Sequence, residues 1–428
     1  MAVVKPFRAW HYNSKKVSIE RVIAPPYDII SAEEEKTFHT RDPHNVIRLI
    51  LGQSTPGCPR PDQAYQDAAH FLKKWTGEGT LTQPSKPAYY LYEMGYPHPF
   101  SNARLVRLSL FAALKLEPFE EKIVFPHERT HSTAKADRAK LLRATQSNFS
   151  PIFILYEDRT DAFEKVYQAA GSRPALFDFE DEHKTHHRLW VIDDGAEAAS
   201  LEKMFAGRRV FIADGHHRYE TALAYAQEKN GAGRVMGANP FDYALSAFVK
   251  FNDPGLLILP IHRLLSQSVA LDKKAFLEGL KTYFVAHSVS KSVLEKIEQG
   301  KITSEFGLAF SESECYSLEL KDKTIARQAM PEGKPARWYE LQTNLISYLI
   351  FKSILKIKDA DLEKSVSYTA SSAEAFLKLG RGEVSTAFFL APTTPGMIKD
   401  ICESGEVMPQ KSTYFYPKFP SGLLIYRH

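Results

Sequence analysis

The 428-residue chain is 44% apolar and 25% charged, with a formal net charge of +4 at neutral pH. These values belong to an ordinary globular protein with room for two or three domains and a substantial core. The charge is spread along the chain without a long basic run, which argues against general nucleic-acid coating but allows a local anion pocket. Cys58, Cys315 and Cys402 lie far apart and make neither a disulfide framework nor a zinc ribbon. The first ten residues hold no apolar signal core, and the longest apolar runs, such as 256–261 and 345–351, are too short for a membrane span. The expectation is a cytoplasmic protein with no membrane partner.

In chain order, residues 1–30 read as a short strand, a polar loop and then Ala24-Pro25-Pro26-Tyr27-Asp28. Two successive prolines fix an extended backbone, so Tyr27 and Asp28 sit on a stiff arm. Asp28 has two readings, as the cap of a helix suggested by residues 31–37 or as a catalytic carboxylate. Residues 61–75 form an amphipathic helix with Tyr65, Ala68, Leu72 and Trp75 on one face, ended by Gly77. Residues 88–94 and 105–116 read as strands of a half-buried sheet.

Next comes Phe125-Pro126-His127-Glu128-Arg129-Thr130-His131-Ser132-Thr133-Ala134-Lys135-Ala136-Asp137-Arg138. It holds a literal HExxH. On a helix, His127 and His131 would share a face and Glu128 could serve as a base beside zinc, giving a zinc-hydrolase reading. Pro126 directly before the motif and Ser132-Thr133 after it speak against that helix. The other reading makes the segment a source of cations, with Arg129, His131, Lys135 and Arg138 as phosphate ligands. Glu128 and Asp137 would then orient them or bind a metal. Residues 149–156 read as a strand and 161–170 as a helix. Residues 180–187 read as an acidic surface loop, and His186-His187-Arg188 at its end as solvated, with a strand following at 189–192.

The centre of the chain is Val210-Phe211-Ile212-Ala213-Asp214-Gly215-His216-His217-Arg218-Tyr219-Glu220. Four apolar residues make a buried strand, Asp214-Gly215 breaks it, and 219–228 reads as a helix. A helix N-terminus presents backbone N–H groups and a positive dipole end, which suits a phosphate. Gly215 permits close approach, Arg218 can fork onto phosphate oxygens, and Asp214 can cap the helix or hold a metal.

Residues 243–251 and 256–265 read as two strands around Asn252-Asp253-Pro254-Gly255. Beyond residue 268, helices are expected at 270–283, 338–357, 373–379 and 395–403, with a hairpin at 304–310 and 316–321 and a strand at 386–390. The final motif is Met408-Pro409-Gln410-Lys411-Ser412-Thr413-Tyr414-Phe415-Tyr416-Pro417-Lys418. Lys411, Ser412 and Thr413 could meet a phosphorylated ligand, or the segment could be an alternating edge strand. The pattern as a whole is α+β. The expected divisions are 1–104, an N-terminal α/β region, 105–267, a phosphate-binding region, and 268–428, a C-terminal α/β region carrying Lys411.

Four motifs in this order, Ala24–Asp28, His127–Arg138, Asp214–Arg218 and Met408–Lys418, resemble domain-of-unknown-function family 1015 of bacteria and archaea. The Asp214–Arg218 centre also resembles the phosphate-binding turn of the ParB/sulfiredoxin fold, in which free serine kinases carry an Asp-Gly-His-Thr-Arg version. This chain has His217 where those have threonine. The resemblance implies a ParB/sulfiredoxin-like central region with additional N- and C-terminal elements. It also implies a phosphotransferase that takes its phosphoryl group from pyrophosphate, ATP or ADP and passes it to a small hydroxyl metabolite, above all L-serine.

The residues fit such chemistry, which needs charge neutralisation, a metal and a carboxylate at the acceptor hydroxyl. The sequence has no Walker loop and no protein-kinase signature. The expected site has Asp28, Glu128 and Asp214 as catalytic carboxylates. Gly215, His216, His217, Arg218, Arg129, His131, Lys135, Arg138, Lys411, Ser412 and Thr413 would hold phosphate, and Asp214 and Glu128 would hold Mg2+. A ParB-like nucleotide- or DNA-binding regulatory module is the second reading, and the zinc hydrolase of His127 and His131 the third. The weak net charge speaks against nucleic acid as a partner, and the oligomeric state stays open.

Overall fold

The computed structural model describes residues 1–52, 60–128, 132–158, 160–231 and 237–428. The fold is α+β. The chain divides into two compact units, the first made of Met1–Pro126, Thr130–Leu256 and Pro417–His428, the second of His127–Arg129 and Leu257–Tyr416. Among the described residues no helix is long and apolar enough to cross a membrane.

The first unit is built on a nine-stranded mixed sheet. Its strands are β1 (Val4–Lys5), β2 (Tyr89–Pro97), β3 (Arg104–Lys115), β4 (Val124–Phe125), β5 (Ile152–Tyr156), β6 (Phe177–Glu180), β7 (His186–Ile192), β8 (Val210–Asp214) and β9 (Tyr243–Lys250). The order is β4-β8-β5-β9-β3-β2-β7-β6, with β1 pairing β3. β2 and β3 pair from Tyr90↔Phe111 to Pro97↔Arg104, so residues on both sides of position 104 share one sheet. Side chains alternate across a sheet. Tyr89, Leu91, Leu110, Ala112 and Leu114 therefore face one way, into a core closed by Tyr219, Ala222, Tyr225 and Ala226 of the helix His216–Asn230. On the other face, Tyr92, Phe111 and Phe153 pack their rings around Phe419.

Two expectations are corrected here. His186-His187-Arg188 is not a solvated loop but the start of β7, paired with both β2 and β6. His187 is buried, stacked on Phe179 at 4.7 Å, with its Nε2 3.1 Å from Asp181. The Arg188 Nε donates to Glu93 at 2.8 Å. Asp181 in the connecting turn and Glu93 on the neighbouring strand satisfy these polar groups, which a reading of local polarity does not detect. Nor does Asp28 cap the following helix. It lies exposed in a 3-10 turn, Tyr27–Ile29, and Ser31 caps Ala32–Arg41 in a reciprocal box with Glu34. Ser31→Ala is expected to cost about 1 kcal/mol in urea denaturation; an unchanged midpoint would contradict the cap.

The second unit holds a six-stranded antiparallel sheet with Leu264, Leu294, Ile297, Phe376 and Phe389 in its core. The expected strand at 256–265 is two strands, β10 (Leu257–Leu259) and β11 (His262–Ser266). Pro260 between them has no N–H for a ladder. β11 joins the large sheet, whereas β10 pairs with β12 (Tyr414–Tyr416). The expected helix at 338–357 is also broken. Leu341 is extended between Ala336–Glu340 and Gln342–Leu345, and the turns over Ile346–Ile354 widen to a π-helix. Asn344 takes the Trp338 carbonyl at 2.7 Å and Gln342 bonds the backbone of Thr303, Glu305 and Ala391. These side chains compete with a continuous helical ladder.

Candidate functional site

The central turn takes its shape from three residues. β8 pairs with β5 through Ile212↔Ile154 and then Asp214↔Phe153, so Ala213 is an extra residue in the ladder. Such a bulge re-aims the residue that follows it. Gly215 comes next with φ 91° and ψ 27°, a left-handed conformation that glycine adopts without strain. A Cβ there would lie 3.0 Å from the Arg218 guanidinium, so glycine also lets that side chain fold back over the turn. The helix then runs from His216 to Asn230, three residues earlier at its start than its apolar spacing predicts. Gly215 offers no side-chain cap to the first amide groups, and a helix opened this way presents its positive end to an anion.

Asp214 is held between two cations. The Arg218 Nη2 donates to its Oδ2 at 2.6 Å, and the Lys418 Nζ donates to its Oδ1. All three side chains are largely buried, at 16%, 14% and 10% exposure for Asp214, Arg218 and Lys418. Burial alone would raise the Asp214 carboxyl. Lys418 first, then Arg218 and His216, outweigh it and hold the group down at about 2. A general base works best with a pKa near the working pH, and a carboxylate held this low serves as the counter-ion of Arg218 and Lys418. Arg218 also donates to the Pro151 carbonyl. His216 is buried and His217 half-buried.

Other expected residues of the first unit lie around this turn. The Arg138 guanidinium is buried, 3.9 Å from the Tyr27 ring, and bonds Asp137 at 2.7 Å and the Ile50 carbonyl at 3.0 Å. Burial raises the Tyr27 phenol and Arg138 opposes it, with smaller effects from Asp28 and Arg218. Tyr27, Arg138 and Arg218 line one small cavity. Asp28 is exposed beside Tyr27 on the proline arm. Lys135 is half-buried and paired with Glu220 at 2.7 Å.

Within the second unit, His127, Glu128 and the 408–413 segment come together. The His127 ring is 1% exposed, its Nε2 2.9 Å from the Thr413 hydroxyl, and the Ser412 N–H donates to Glu128 at 3.1 Å. Ser412 is buried and its hydroxyl donates to the Pro409 carbonyl, so it is committed internally rather than offered to a phosphate. Lys411 is exposed with φ 58°, and its carbonyl accepts from the buried Arg263 at 3.0 Å. Arg129 and His131 lie outside the described residues. The HExxH pair therefore has one described histidine, and its ring is engaged by Thr413.

Among the described residues no group of three or more His, Cys, Asp or Glu side chains is gathered to hold a metal. Mg2+ is usually bound by one or two carboxylates together with substrate phosphates and water. Asp214 is the carboxylate at the turn, with its two oxygens bonded by Arg218 and Lys418, and Glu128 belongs to the second unit.

Sequence reasoning missed Lys418. It closes the clasp on Asp214 from 204 positions away, and no local pattern signals such a contact.

No curated protein matches the sequence. Among solved structures, the chain is similar to a conserved hypothetical protein from Pyrococcus furiosus, at 16% identity over 73% of this chain and 93% of that one, with a TM-score of 0.35. It is also similar to a free serine kinase in complex with AMP, at 15% identity over 72% and 86%, TM-score 0.35. A third is SbnI with a C-terminal truncation, from Staphylococcus aureus, at 10% identity over 72% and 85%, TM-score 0.35. The family model described as "Protein of unknown function (DUF1015)" matches residues 4–343, and the chain belongs to that family.

Proposed function

We propose that the protein is a cytoplasmic, Mg2+-dependent phosphotransferase that moves a phosphoryl group from pyrophosphate, ATP or ADP to the hydroxyl of a small metabolite, most simply L-serine. The observation that carries this reading is the turn itself, where a left-handed glycine opens a 15-residue helix and Arg218 and Lys418 converge on Asp214. Phosphoryl transfer is mainly positioning and charge neutralisation. Here the amide groups of the helix start and the cations around Asp214 would do both. The motif likeness to the Asp-Gly-His-Thr-Arg turn of free serine kinases supports the choice of an alcohol acceptor.

The residues divide the work as follows. Gly215, His216, His217 and Arg218 hold the donor phosphates, with Lys418 as a further cation. Asp214 would be the protein ligand to Mg2+, which when bound neutralises phosphate charge. Asp28, exposed on its rigid arm, is the carboxylate free of such cationic pairing that can orient and deprotonate an acceptor hydroxyl.

Phosphorus NMR of the purified protein with Mg2+ and L-serine, run in parallel with pyrophosphate, ATP and ADP, tests this. A phosphoserine signal is expected in at least one tube and its loss on adding EDTA. No product in any tube would overturn serine as the acceptor, and tight nucleotide binding without transfer would favour the regulatory module.

A further inference from the structure

The cavity beside the turn is lined by Tyr27, Arg138, Arg218 and Thr221, with the chain from Ser147 to Ser150, and has a volume of about 60 Å³. A water needs roughly 10–15 Å³ measured this way, so the space suits a small oxyanion. Thr221 and Arg218 are three residues apart on the helix His216–Asn230 and share a face. Thr221 is 5% exposed, and its hydroxyl has no hydrogen-bond partner within the protein. An unmade hydrogen bond on a buried hydroxyl is costly, so such a group in a cavity wall marks a place for a ligand.

One guanidinium beside the Arg138 wall of the cavity is also incompletely bonded. Arg60 and Arg138 both donate to the Ile50 carbonyl, at 3.1 and 3.0 Å. The Arg60 Nε and Nη2 are buried without partners. Burial, and repulsion from Arg138, bring the Arg60 guanidinium down to about 10. Arg60, Arg138, Arg218 and Lys418 share this region with the carboxylates of Asp137 and Asp214, while Glu35 acts on Arg60 and Asp28 on Tyr27.

We infer that this cavity is a second anion subsite, in which Arg138, Arg218 and the Thr221 hydroxyl take a carboxylate or phosphate group. The inference rests on the phosphotransferase reading for its two candidate sources, the carboxylate of an amino-acid acceptor and the distal phosphate of the donor. Both are oxyanions that accept from a guanidinium and a hydroxyl.

Isothermal titration of wild type, Thr221→Val and Thr221→Ser with L-serine and, separately, with pyrophosphate tests it. Thr221→Val keeps the shape and removes the hydroxyl. It should weaken one ligand about tenfold and leave the other within about twofold, and Thr221→Ser should restore binding. Weakened L-serine identifies the acceptor's carboxylate, and weakened pyrophosphate identifies the donor. Without ligand, Thr221→Val should melt no lower than wild type, because it loses only an unsatisfied hydroxyl. Unchanged affinities for both ligands, or a wild type that binds neither, would overturn the subsite. Thr221-dependent binding in a protein that never makes phosphoserine would uphold the subsite and retire the phosphotransferase reading alone.

Discussion

Asp214→Asn is expected to cost about 3 kcal/mol of stability at pH 7 and little at pH 2. The substitution leaves Lys418 and Arg218 buried without their anion, and breaking one side of a buried ion pair costs about 3–5 kcal/mol. The pH dependence follows from the carboxyl's position, about 2 in the folded protein against an ordinary 3.8. A depressed carboxyl stabilises the fold fully above its unfolded pKa and loses that contribution as the pH falls through the folded value. The window is therefore about pH 4 to 2, and the difference corresponds to roughly 2–2.5 kcal/mol. Urea denaturation of both proteins from pH 7 down to 2.5 should show the two stabilities converging as the wild type weakens. A gap that stays constant across that range would mean that the clasp is not what holds Asp214.

Arg218→Ala is expected to lower kcat/KM for phosphoryl transfer by ten- to a hundredfold. One charge-assisted contact to a phosphate is worth about 1.5–3 kcal/mol, which converts to that range. Arg218→Lys should recover only part, since an ammonium cannot reproduce the fork that bonds Asp214 while reaching a second acceptor. Steady-state kinetics of the three proteins at saturating Mg2+ decide the matter. A loss smaller than tenfold in Arg218→Ala would remove the central turn from the donor site.

The parts of the fold that were legible in the sequence are those whose causes are local. The central strand, the glycine break and the following helix are read from a four-residue apolar run and an Asp-Gly pair, and Pro395–Glu403 is a helix where its proline start predicts one. What was not legible depends on distant partners. The bulge at Ala213 exists because β8 pairs with β5, and nothing in Ile212-Ala213-Asp214 alone requires it. β7 begins at His186 rather than Leu189 because Asp181 and Glu93 satisfy His187 and Arg188. Asn344 and Gln342 break a helix that their neighbours' spacing favours. In the site, Arg218 stands out from its motif, whereas Lys418 does not. Thr221 was within reach, being three residues beyond Arg218 on one helical face, but a lone threonine among helix formers carries no signal until its hydroxyl is found without a partner.

The strand pair that opens and closes the second unit has a consequence for how the chain assembles. Leu257 and Tyr416 face one another in the β10–β12 pairing. Closing an open loop over residues 257–416 costs about 4–5 kcal/mol of chain entropy. When the second unit folds early, its own hydrogen bonds absorb that closure and hold residues 256 and 417 a strand's width apart. Lys418 then closes onto Asp214 over the roughly 40 residues between 214 and 256 rather than over the full separation of 204, which lowers the loop-closure cost. By the same reasoning, a tight β-turn in place of the second unit would keep that loop short, and lengthening the junction after Tyr416 with flexible residues would slow completion of the clasp without touching any residue in it.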